Sequence, residues 1–130
     1  MNILLAEDDF ILALDYTEYI ESLGHTVVHA RNAQKAIGVL NPVGEQKLPI
    51  NAIVTDMRMP GGSGLYLLQF LSRLDIALPC LVHSSISKFD EGQTHLDDLT
   101  KIGSIFHFAR FHLKGGDRTY IKSFLELVQK

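Results

Sequence analysis

Short apolar runs that alternate with helix-period segments constrain this chain more than any other feature. "NILLA" (2–6) is apolar and stops at Glu7, Asp8 and Asp9. "FILALDYTEYIESLG" (10–24) follows, with Ile11, Leu14, Tyr19, Ile20 and Leu23 at helical spacing and Gly24 as a stop. "HTVVHAR" (25–31) is rich in β-branched residues and predicts a strand. "NAQKAIGVL" (32–40) predicts a helix capped by Asn32. After the polar loop 41–49, "NAIVTDM" (51–57) predicts a third strand, "RMPGGSG" (58–64) a loop and "LYLLQFLSRL" (65–74) a helix. "PCLVHSS" (79–85) predicts a fourth strand, and 105–116 ends in a fifth. Between them, 86–104 contains the helix-like "HLDDLTKI" but has no clear bounds. "RTYIKSFLELVQK" (118–130) predicts a final amphipathic helix. Strand–helix alternation with short connections implies an α/β fold, a parallel sheet with helices on both faces.

Composition narrows the function classes. The 130 residues fit one domain spanning 1–130. Net charge is −3, unlike a basic nucleic-acid binder, so no direct nucleic-acid partner is expected. No apolar run approaches the roughly 20 residues of a bilayer span, and membrane insertion is not expected. The single cysteine, Cys80, permits no intramolecular disulfide and is compatible with a reducing cytoplasm, the expected location.

In an open parallel sheet, functional groups collect beyond the carboxyl ends of the strands. The unusual residues of this sequence fall there. Strand 1 ends in Glu7-Asp8, strand 3 in Asp56, strand 4 in Ser84-Ser85 and strand 5 in Lys114. Three carboxylates, a hydroxyl and an ammonium would converge on one patch. Crowded carboxylates repel and need a counterion. An all-oxygen donor set points to Mg²⁺.

"LLAEDD", "TDMRMPGGSGL", "LVHSS" and "LK" occur in the order and at the strand ends of response-regulator receiver domains. The chain resembles that family over nearly its whole length. The resemblance implies a doubly wound five-stranded sheet of order 2-1-3-4-5, the flavodoxin-like (CheY-like) arrangement. It implies a phosphoacceptor of a two-component phosphorelay. A histidine kinase or histidine phosphotransfer protein would be the donor, and a downstream protein the target. The family's pattern makes Asp56 the phosphorylated nucleophile. Asp8 would bind Mg²⁺ directly, Glu7 through metal-bound water, and Arg58 through its backbone carbonyl. Ser84 and Lys114 would contact the phosphoryl group. Movement of Ser84 would let Phe111 turn inward. The signal would then pass to the face made by the segment within 86–104, the fifth strand and the final helix. Self-catalysed phosphorylation and dephosphorylation would be the only reactions, so the chain is not expected to be a turnover enzyme. A homodimer is left open, because the apolar face of the final helix must first cover the sheet.

Two departures stand out. Gly115 replaces the proline that usually follows the lysine, and the stretch from Ser84 to Lys114 is longer than usual. Other readings of the same residues stand beside this one. A phosphatase of the haloacid-dehalogenase type needs a second Asp two residues after the nucleophile, where this chain has Arg58. A degenerate receiver would act only as a binding or dimerisation module. The six histidines suggest zinc, but no third ligand lies near His25 and His29 and no cysteine pair exists. Gly61-Gly62 lack the P-loop pattern. Cys80 reads as a small core residue.

Overall fold

In a computed structural model, β1 (Asn2–Ala6) runs through the middle of a parallel five-stranded sheet of order β2-β1-β3-β4-β5. The structure describes residues 1–40, 49–59, 63–84, 109–113 and 117–130, with the side chains of Ala109, Phe111 and Leu113 outside that description. The other elements are α1 (Phe10–Ser22), β2 (Thr26–Ala30), α2 (Ala33–Leu40), β3 (Ala52–Asp56), α3 (Gly64–Arg73), β4 (Cys80–Ser84), β5 (Ala109–Leu113) and α4 (Thr119–Gln129). The helix-like segment expected within 86–104 lies outside the described residues.

All four strand pairings are parallel. Such a sheet is covered on both faces, so its strands read as nearly unbroken apolar runs. Every residue of β3 and of β4 is buried. Side-chain alternation splits the core in two. Leu4, Ile53, Cys80 and Val82 face Leu67, Leu68 and Leu71 of α3 and the alanines of α2. Ile3, Leu5, Val54 and Leu81 face Ala13, Tyr16 and Ile20 of α1 and Ile121, Phe124 and Leu125 of α4. Cys80 is buried as expected, and burial pushes its thiol up to about 12.

The helix ends follow from local chemistry. The Asp9 carboxylate accepts from the backbone N–H of Ile11 (2.9 Å) and Leu12 (3.1 Å), two of the unpaired donors of the first turn. Asn32 does the same for Lys35 at 2.9 Å. Gly24, at φ 94°, reverses the chain after α1 and donates to Glu21 O at 3.0 Å.

α1 presents a different face from the one its larger apolar residues suggest. Ile11 and Leu14 are 77% and 51% exposed, while Ala13, Tyr16 and Ile20 are buried. The Ile11–Leu14 stripe continues into Glu18 and Glu21, so it cannot stay apolar along the helix. The Ala13–Tyr16–Ile20 stripe can, and the small Ala13 lets the helix axis approach the sheet.

Candidate acidic site at the strand ends

The strands deliver their acids to one edge. Glu7 follows β1 and extends its ladder, its N–H donating to Ala30 O of β2 at 3.0 Å. Asp56 is the last residue of β3, in register with His83 of β4. One carboxylate oxygen each from Glu7, Asp8 and Asp56 lies within 4.8 Å of the others. Glu7 is 1% and Asp56 8% exposed, whereas Asp8 faces solvent.

That spacing has an electrostatic consequence. Two like charges 4.8 Å apart repel by roughly 3–4 kcal/mol at an effective dielectric near 20. A cation placed among the three oxygens would relieve that repulsion. The cluster's donors are hard oxygens, with one acid open to water, a set that fits Mg²⁺ better than the nitrogen and sulfur sets of zinc sites. Among the described residues, this acidic group is where a metal ion could be held.

Neighbouring groups stiffen the acids. The backbone N–H of Asp9 reaches Glu7 Oε2 at 3.4 Å, and His29 Nε2 bonds the Glu7 carbonyl at 2.8 Å. The Thr55 hydroxyl donates to the Asp56 carbonyl at 3.0 Å. Met57 N–H donates to His83 O at 3.0 Å, and Met57 O accepts from Gly64 N–H at 2.9 Å. These two bonds tie the end of β3 to β4 on one side and to the start of α3 on the other. A Cβ on Gly64 would sit 2.5 Å from the Asp56 carbonyl oxygen, so only glycine allows this approach. A cleft of about 610 Å³ opens beside Asp8, lined also by Phe10, His29, Arg31 and Lys35.

The structure brings Glu7, Asp8 and Asp56 together as their positions at strand ends imply. Ser84 ends β4, next to the strand that carries Asp56, and is buried. Arg58 lies two residues past Asp56 with an exposed side chain. Lys114, Gly115 and the Phe111 side chain fall outside the described residues. One group had no role assigned from sequence: His83, which pairs in register with Asp56 and is fully buried. A histidine inside an otherwise apolar strand was the available signal.

Comparison with known proteins agrees with this arrangement. The fold matches a response regulator receiver domain protein from Clostridium thermocellum, with a TM-score of 0.79 and 16% identity, covering 98% of this chain and 92% of that one. A response regulator receiver protein from Pseudomonas putida gives a TM-score of 0.73 at 22% identity, covering 97% and 95%. The receiver domain of a signal transduction histidine kinase from Syntrophus aciditrophicus gives 0.76 at 22%, covering 98% and 88%. No curated protein sequence matches the chain. The family model of the response regulator receiver domain matches residues 3–98, which hold both halves of the acidic cluster and the Ser84 strand end. With strand order, acidic edge and sequence pattern in agreement over most of its length, the chain belongs to the response regulator receiver domain family.

Proposed function

We propose that residues 1–130 act as a phosphoacceptor unit, in which the Asp56 carboxylate takes a phosphoryl group from a phosphohistidine on a histidine kinase or phosphotransfer protein. The observation that carries this reading is the approach of the Glu7, Asp8 and Asp56 oxygens to within 4.8 Å at the carboxyl ends of β1 and β3. An Asp56 oxygen attacks phosphorus, the new O–P bond forms, and the P–N bond breaks with its electron pair returning to the donor's imidazole. Asp8, Asp56 and the Arg58 carbonyl would hold Mg²⁺, with Glu7 acting through water. The bound ion supplies charge neutralisation for the phosphoryl oxygens.

The chain's own residues do the positioning. Gly64 and Thr55 fix the Asp56 backbone, and Asp9 and His29 fix Glu7. Ser84 and Lys114 would take phosphoryl oxygens, with Phe111 following Ser84. The added charge would then alter how the β5–α4 side meets a downstream protein. The chain works in the cytoplasm as a signal carrier, not as a turnover enzyme.

Intact-mass measurement after incubation with acetyl phosphate or a cognate kinase and Mg²⁺ tests this reading. One phosphoryl adduct is expected in the wild type and none in Asp56→Asn. An unmodified wild type with both donors, or an adduct retained by Asp56→Asn, would overturn it.

A further inference from the structure

A polar row crosses the sheet where packing alone calls for none. Asp56, His83 and His112 are register partners on β3, β4 and β5. Strands lie about 4.8 Å apart, so the three positions span about 10 Å. Asp56 follows Val54 by two residues and His83 follows Leu81 by two. Val54 and Leu81 both face α1 and α4, and alternation puts Asp56 and His83 on that same face.

Tyr120, in the first turn of α4, arches over the far end of the row. Its hydroxyl shares a 2.9 Å hydrogen bond with His83 Nδ1. Its ring stacks on the exposed His112 imidazole, with centroids 4.0 Å apart and planes 3° from parallel. Tyr16 of α1 closes the group from the other side, 5.0 Å from the His83 ring. Burial pushes the Tyr120 phenol up, and Tyr16 and the negative charges of Glu7 and Asp56 push it further. The phenol therefore lies within electrostatic reach of the acidic site.

A buried imidazole is costly unless hydrogen-bonded, and His83 finds that bond in the Tyr120 hydroxyl. We propose that His83 and Tyr120 form a relay that carries the charge state of Asp56 to α4 and to the exposed ring of His112. The inference rests on Asp56 being the group whose charge changes in signalling. It gives that change a path to the β5–α4 surface through a histidine and a tyrosine, alongside the proposed movement of Ser84 and Phe111. Tyr120 and His83 are positioning residues here; neither attacks nor leaves.

A double-mutant cycle read by NMR tests the relay without metal or phosphodonor. The perturbation is Asp56→Asn, which deletes one carboxylate charge. The readout is the His112 ring proton signal, assigned with His112→Gln. Asp56→Asn is expected to move that signal in the wild-type background. In a Tyr120→Phe background, which keeps the stacked ring and removes only the hydroxyl, the movement should fall below half. His83→Leu cuts the same link from its other end and should give the same loss, which keeps the test decisive if either variant folds poorly. A His112 signal that ignores Asp56→Asn, or moves equally in the relay variants, would overturn the relay and mark His83 as an ordinary core histidine. The mass adduct reports on Asp56 phosphorylation separately, so each reading can fail without the other.

Discussion

Gly64→Ala is the sharpest perturbation available, because its target is the backbone of the proposed nucleophile and not its side chain. The added Cβ would lie 2.5 Å from the Asp56 carbonyl oxygen, 3.2 Å from Met57 Cα and 3.4 Å from Asp56 C. The first distance is shorter than real Cβ contacts allow, so the start of α3 or the end of β3 must move by roughly 0.5–1 Å. Gly64 has no positive φ, so the cost is steric and not conformational. Overpacking of this kind costs about 1–3 kcal/mol. Misplacing a reacting group by about 1 Å can cost on the order of 10²-fold in rate. Urea unfolding should show a stability loss in that range. The rate of Mg²⁺-dependent adduct formation should fall by roughly 10–100-fold in the fraction that remains folded. A variant with wild-type midpoint and wild-type labelling rate would refute the claim that Gly64 seats Asp56.

Other perturbations separate structure from chemistry. Asp9→Ala removes the cap that accepts from Ile11 and Leu12 and should cost about 0.5–2 kcal/mol in urea unfolding, with Asp56 labelling still detectable. His25 is held below the usual imidazole range by burial, and secondarily by the Met1 amino group 3.1 Å away. The unfolded chain binds this proton first as pH falls. Stability should therefore drop below about pH 6.5 by no more than about 1.4 kcal/mol per pH unit, and His25→Gln should flatten that part of the profile. Mg²⁺ at about 100 times its Kd should stabilise the wild type by about 2.7 kcal/mol, and Asp8→Asn should remove most of that gain. A thermal or urea midpoint indifferent to Mg²⁺ would count against the cation site.

The fold was largely legible because each strand is a short apolar run closed by a polar signal. "AIVTD" reads as a buried strand ending in an acid, and β3 spans Ala52–Asp56 with all five residues buried. The Asn32 cap was equally readable, since its side chain pairs a first-turn N–H group. The buried face of α1 was less so. Ile11 and Leu14 look like core, yet the longer apolar stripe through Ala13, Tyr16 and Ile20 wins the sheet. At the site, the order of acids along the chain located Glu7, Asp8 and Asp56, because parallel strands align their carboxyl ends. The His83–Tyr120 pair was not legible. Its partners are 37 residues apart in sequence and meet only through the register of β4 and the docking of α4.

The measurement closest to the central claim is an anomalous difference map from crystals grown with Mn²⁺ in place of Mg²⁺. One peak is expected between Asp8 and Asp56, lost in Asp8→Asn. Acids turned apart with no peak among them, at a metal concentration that saturates other receiver domains, would contradict a site built to gather negative charge around a cation.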